Sequence, residues 1–245
     1  MRLRFGYKWV SVFCFLCAFV ASAHAEVIIS GAQSVGRFLE LHRAEIESKS
    51  GQSIKIKAKN SVRGLDDVIG RSANLAVLSC DAKRFYAASG FNEQVVASLS
   101  ETVVGKGRVL FVVHPSNTVE SLSVAQLRAV LTGQVTNWKD VGGPDSPILI
   151  FCVDRTLAYR VVADDALNIE TLATGAFVRT DSTEILPAAR LYPGAVALMS
   201  QWDISPGYKV VNDSAVSFPI VVVSSGVPGP EAQAVIKAIQ ECLAQ

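Results

Sequence analysis

Histidine is scarce in this chain: beyond the first 25 residues only His42 and His114 remain. His42 sits beside Leu41 in a helical pattern and reads as partly packed, and His114 precedes Pro115 at a strand end. No nucleophile elbow, H-E-x-x-H pair or glycine-rich P-loop occurs, which argues against triad hydrolases, zinc peptidases and P-loop nucleotide enzymes. Charge of one sign is also missing. Without Arg2, Arg4 and Lys8 the balance is 20 Lys+Arg against 22 Asp+Glu, so nucleic acid and anionic membrane are not indicated as partners. There is no internal repeat, low-complexity tract or long linker, and no cofactor motif.

Cysteine is sparse and odd in number: past residue 25 the chain keeps Cys80, Cys152 and Cys242, with spacings that match no metal clip. Each lies among apolar residues and is expected to be a buried, inert thiol. One disulfide is allowed, with its pairing left open. A long hydrophobic run is lacking too. Arg2, Arg4 and Lys8 precede the apolar stretch Trp9–Val20, and Ala23-His24-Ala25 makes a small-x-small exit. The stretch falls short of the ~20 residues needed to span a bilayer, so residues 1–25 read as a secretory signal cleaved before Glu26. Cys17 follows Cys14-Phe15-Leu16 rather than a run of small residues, so a soluble periplasmic product is expected.

What is present is a series of strand-to-helix turns. Val27-Ile28-Ile29 runs into Ser30-Gly31-Ala32-Gln33-Ser34, with Ser34 as a cap for a helix over Val35–Ser50 that Gly51 ends. Taken alone, this turn is either an ordinary βα connection or an anion site at a helix N-terminus. Ser53–Lys59 alternates apolar residues with three lysines, the pattern of a strand near a sheet edge. It ends at Asn60-Ser61-Val62-Arg63-Gly64, before a helical piece over Leu65–Arg71. Arg63 is either solvated or placed to fork two hydrogen bonds to an oxyanion. A third strand, Asn74–Ser79, ends at Cys80-Asp81, where Asp81 is a helix cap or a cleft carboxylate in equal measure. Open α/β sheets bind ligands at such strand ends.

Further on, Val95–Val104 and Arg108–Val113 are extended, with Gly105 and Gly107 as soft points between them. Ser123 and Gln126 form a capping box ahead of the stripe Leu127, Val130 and Leu131, which Gly133 ends. Pro147–Val153 is a strand, and Asp154-Arg155-Thr156 opens a helix from about Leu157 to Leu167. Asp181–Leu191 reads as a helix shortened by Pro187. Ala195–Met199 and Pro219–Val223 are strands, and Glu231–Leu243 is a helix with Pro230 at its first turn.

Two stretches, "GRVLFVVHPSNTVESLSVAQLRAVLTGQVTNWKDVGG" and "STEILPAARLYPGAVALMS", together resemble the phosphate-type solute-binding proteins of bacterial ABC transporters. The resemblance implies a two-lobed α/β fold of the type 2 periplasmic-binding-protein kind. Each lobe would be a mixed sheet flanked by helices, the two joined by two crossover segments. Lobe 1 would be 26–114 plus 200–245, and lobe 2 would be 115–199. It also implies a periplasmic, monomeric, non-enzymatic protein that captures a small oxyanion, phosphate first, for a membrane permease. The ligand residues carried over are Gly31 and Ser34 in the first turn, Ser61, Arg63 and Gly64 in the second, and Asp81 in the third. Arg155 and Thr156 stand in the fourth turn, where the family has an arginine with Ser-Gly-Thr. That departure, with Val62-Arg63 in place of small residues, supports an alternative: a binding-protein-like domain that lacks a transport ligand and acts as an interaction or sensory module.

Overall fold

Short apolar runs that stop at small or polar residues become the strands, and the amphipathic segments between them become the covering helices. A computed structural model describes residues 26–155, 158–204 and 206–245. The expected signal, 1–25, and Thr156 and Leu157 lie outside the described residues. The chain begins β1 (Val27–Ala32), α1 (Gln33–Leu41), α2 (Arg43–Ser50), β2 (Ile54–Lys59), α3 (Ser61–Ile69) and β3 (Leu75–Leu78). After α4 (Ala82–Ser89) and α5 (Glu93–Ala97) come β4 (Leu99–Val113), α6 (Val124–Leu131), β5 (Leu149–Val153) and α7 (Ala158–Ala166). The remainder is β6 (Phe177–Arg179), α8 (Leu186–Leu191), β7 (Ala195–Ser200), β8 (Lys209–Ser225) and α9 (Pro230–Leu243). No described helix is long and apolar enough to cross a membrane.

The described strands form one eight-stranded mixed sheet in the order β2-β1-β3-β8-β4-β7-β5-β6. The lysine-bearing β2 is at the edge, as its alternation predicts. The two crossover segments are themselves strands: β4 and β8 pair antiparallel from Leu99 opposite Ser225 to Val113 opposite Lys209. On one flank β3 points along this ribbon and stops with Leu78 beside Val221, level with Val103 of β4. On the other flank β7 points the opposite way and stops with Ser200 beside Val109. The carboxyl ends of β1, β2 and β3 therefore face those of β5, β6 and β7 across about 20 Å of ribbon, from Val103 to Val109. The β4–β8 register shifts within that interval, between Val103 and Gly105, which bends and twists the ribbon there.

Packing on the far side of β4 follows the expected capping box. Ser123 and Gln126 exchange both hydrogen bonds, and Leu127, Val130 and Leu131 are buried beneath them. Trp138 is the largest fully buried side chain among the described residues, and its Nε1 donates to the Gly194 carbonyl at 2.9 Å. Cys80, Cys152 and Cys242 are buried and unpaired, so none of them forms a disulfide.

Several expected boundaries move. The helix expected over Val35–Ser50 breaks at His42, because its first half packs on the sheet while the second turns toward α9. The helix expected at Leu65 begins at Ser61, since Asn60 caps it by accepting from the Arg63 N–H at 2.9 Å. Pro219–Val223 is only the end of the 17-residue β8. The polar residues of its first half disguise it, and pairing with β4 overrides that local signal. Pro187 sits in the first turn of α8, after a separate 3-10 turn over Ser182–Glu184 that Asp181 caps.

Candidate functional site

The β1–α1 turn depends on a backbone geometry only glycine tolerates. Gly31 has φ of 135°, and a Cβ there would stand 2.2 Å from the Val77 carbonyl oxygen of β3. Gly64 meets it from α3, where a Cβ would lie 2.6 Å from the Gly31 Cα. The N-terminal turn of α3 is thus pressed onto the end of β1. β1 and β2 end together, with Ala32 beside Lys59, so α1 and α3 start from neighbouring strand ends.

Each of those turns carries a buried serine. Ser34 does not cap its helix, as its position in the turn had suggested: Ala32 holds the cap position, with no side-chain bond, and Ser34 is the second residue of α1. Asn60 already caps α3, so the Ser61 hydroxyl is not needed for that purpose either. Both hydroxyls are buried, and neither has a hydrogen-bond partner among the described residues. Buried side-chain polar atoms usually find a partner, and these two hydroxyls, at helix N-termini that follow neighbouring strand ends, are of a type that can donate to an anion. Asp81, at the end of the third strand, is exposed and immediately precedes α4. Next to it the Cys80 thiol is pushed up to about 12, by burial first and by the Asp81 charge second, which keeps it an inert thiol. Arg63 is not drawn into this group. It is exposed, and its guanidinium lies 3.9 Å from the Asp66 carboxylate on the surface of α3.

The opposing wall is built from β5, β6 and β7. Arg155 follows the end of β5, and its guanidinium lies 3.6 Å from Asp164 Oδ2. Asp164 is buried and pairs with Arg160 at 2.8 Å. Arg160, buried as well, also donates to the Val153 carbonyl at 3.0 Å and so clamps α7 to the end of β5. Thr156, the other residue expected here, lies outside the described residues. At the end of β6, Asp181 Oδ1 accepts from the Thr183 N–H and hydroxyl, each at 2.8 Å. It also accepts from Gln33 Nε2 at 3.2 Å, a bond that joins α1 to the opposite wall. The Thr183 N–H, then its hydroxyl, and then Gln33 hold the Asp181 carboxyl below its usual range.

Asp203, just beyond β7, is strongly perturbed. Burial pushes it up to about 6, against the opposing pull of the Ser182 hydroxyl and Arg37, and its Oδ2 has no hydrogen-bond partner. It lines a cavity of about 200 Å³ with Arg37, Ser182 and Thr183. On the same face, Trp202 packs between Phe38 of α1, at 5.4 Å between ring centroids, and Phe218 of β8, at 6.3 Å.

The PBP superfamily domain family matches residues 20–240 of this sequence. The chain belongs to that family. Among its relatives, a phosphate-binding protein PstS from Borreliella burgdorferi is 24% identical over 144 residues, 58% of this chain and 49% of the relative. The chain spans about half the length of that curated relative, and 37% of a further one from Streptococcus agalactiae. A structure from Clostridium perfringens, described as a phosphate ABC transporter substrate-binding protein with bound phosphate, superposes with a TM-score of 0.74. It shares 21% identity, and the match covers 88% of this chain and 93% of that one. The sulfate-bound regulatory domain of an OxyR2 mutant from Vibrio vulnificus superposes with a TM-score of 0.65 at 12% identity, covering 90% and 97% of the two chains. Both structures bear on the fold: the two-sided α/β arrangement of this PBP superfamily domain is that of its neighbours.

Three features of this face of the PBP superfamily domain were not anticipated from the sequence. The Arg160–Asp164 pair had a signal, an i,i+4 pairing on a helix. The Gln33–Asp181 bond joins residues 148 positions apart and had none. Asp203 carries no signal of its own in the sequence, and its burial comes from α1 and the 181–183 turn closing over it.

Proposed function

We propose that this protein is a periplasmic solute-binding protein that captures phosphate or a closely related small oxyanion between two lobes and presents it to a membrane permease. One observation carries the reading: two buried serine hydroxyls, Ser34 and Ser61, lie without partners at helix N-termini on neighbouring strand ends that face an opposing wall. An anion in that gap would accept from both hydroxyls and from the free N–H groups of α1 and α3. Arg155, supported by Asp164, would supply positive charge from the other side. An Asp81 carboxylate turned into the gap would set the preference among anions. A carboxylate only accepts hydrogen bonds, so it favours an anion that still carries a proton, such as monohydrogen phosphate, over sulfate.

The lobes in this reading are 26–114 with 200–245, and 115–199, flexing about the Val103–Val109 interval of the ribbon. Export through the 1–25 segment and an absence of catalysis belong to the same proposal, and the names of the relatives, phosphate-binding proteins, support the choice of ligand. The expected result is a rise in melting temperature that saturates with phosphate, because a ligand bound only by the folded state stabilises it. Sulfate at equal concentration should raise it less. No shift with phosphate, sulfate or molybdate would remove the transport reading.

A second reading has a specific observation behind it. The fourth turn, Asp154–Ala158, has no glycine for close backbone approach, and Arg155 is already engaged by Asp164. The same fold also serves as a regulatory domain in the OxyR2 neighbour. A sensory or interaction module would then retain the fold and respond to an anion without transporting it. Recovery of one permease with the protein from the native envelope supports transport, and recovery of a membrane-bound sensor supports this alternative.

A further inference from the structure

Beyond the anion cleft, at the opposite end of α1, three metal-ligating side chains from distant parts of the sequence meet. His42 lies between α1 and α2, Glu45 is in the first turn of α2, and Cys242 comes from the last turn of α9. Their ligating atoms all fall within 4.8 Å of one another. We propose that His42, Glu45 and Cys242 form a binding site for a zinc(II) ion, with solvent in the fourth position.

The donor set is one imidazole, one carboxylate and one thiolate, each an established type of zinc ligand, and three protein ligands plus water is a recognised coordination for this ion. The spacing fits as well. His42 Nδ1 and Glu45 Oε2 are 3.5 Å apart, long for a hydrogen bond. Two ligands held about 2.1 Å from a tetrahedral ion lie about 3.4 Å from each other. The outer contacts orient the ligands. Gln245 Nε2 donates to Glu45 Oε1 at 2.8 Å, and Lys49 lies 3.6 Å from that same oxygen, which leaves Oε2 turned toward His42. The His42 ring is fixed against Phe38, with centroids 4.5 Å apart. Lys49 has its own shorter partner in Glu241, at 3.3 Å, so its charge can be drawn off the site.

On binding, the Cys242 thiol releases its proton to solvent as the Zn–S bond forms. The ion would then staple the C-terminal helix to the α1–α2 junction, where the chain bends. α1 spans about 13 Å, so this site is separate from the one at Ser34 and does not depend on the anion reading.

The test is titration of the metal-free, reduced protein with zinc(II) and, as a spectroscopic probe, cobalt(II). One ion per chain, a thiolate-to-cobalt charge-transfer band and a melting temperature that rises with zinc are expected. Cys242→Ser should abolish the band, and Cys242→Ser and His42→Asn should each weaken zinc binding by more than about 100-fold, beyond the loss typical of outer contacts. Both variants should keep the wild-type circular dichroism in the metal-free state. Zinc affinity unchanged in His42→Asn, or a cobalt complex without a thiolate band, would overturn the site.

Discussion

Gly31→Ala is expected to lower the melting temperature by roughly 10 °C. The added Cβ would stand 2.2 Å from the Val77 carbonyl oxygen, a backbone atom that cannot rotate away. Alanine would also have to hold a φ of 135°. A strained backbone conformation costs about 1–3 kcal/mol, and forced overpacking costs a similar amount. Together they amount to on the order of 4 kcal/mol, a large share of the ~5–15 kcal/mol of a typical domain. At about 2–4 °C per kcal/mol for a chain of this size, that gives the expected shift. Gly64→Ala meets the Gly31 Cα at 2.6 Å without the φ problem and should lose about half as much. A Gly31→Ala protein that melts within about 2 °C of wild type would mean that Gly31 does not lie against the Val77 backbone of β3 as described.

Asp203→Asn should change how stability depends on pH between about 4 and 6. In the folded protein this carboxyl is raised from 3.8 to about 6, mainly by burial. The unfolded chain therefore gives up its proton at lower pH than the folded one. The sign follows from linkage: no penalty is present below pH 4, it grows as pH rises, and it is complete above pH 6. A shift of about two units corresponds to about 3 kcal/mol. Asparagine cannot ionise, so wild type should lose about 3 kcal/mol relative to the variant between pH 4 and pH 7, measured by urea unfolding. Asp164, also raised by burial, is present in both proteins and cancels in the difference. The acid limb below pH 4 should be the same in both, because Asp67 and Asp181, held low by hydrogen bonds, are untouched. A constant difference across this range would place the Asp203 carboxyl in solvent.

The fold was largely legible because its signals are local. Val27–Ile29, Leu75–Leu78, Val109–Val113 and Ala195–Met199 are apolar runs with clear ends, and each is a strand or lies within one. The capping box at Ser123 and the proline starting α9 each fixed a helix start. Less legible were elements whose identity depends on a distant partner. The first half of β8 is held by β4, and β6 is a three-residue edge strand held by β5. For the proposed site, Ser34 and Ser61 were singled out by the order of strand, turn and helix, and the structure buries both without a partner among the described residues, although Ser34 was given a capping role it does not have. Arg63 was placed by its neighbours in sequence, whereas the first turn of α3 points it outward toward Asp66. The cross-wall bond from Gln33 to Asp181, the burial of Asp203 and the meeting of Cys242 with His42 all join residues far apart in the chain, beyond the reach of any spacing rule.

Calorimetric titration of phosphate into wild type, Ser34→Ala and Ser61→Ala decides whether the two buried hydroxyls hold an anion. Wild type is expected to show one saturable site. Each variant should bind about 10–100-fold more weakly, the value of one hydrogen bond to a charged ligand, while melting like wild type without phosphate. Equal affinity in all three proteins, or no heat with wild type, would contradict it.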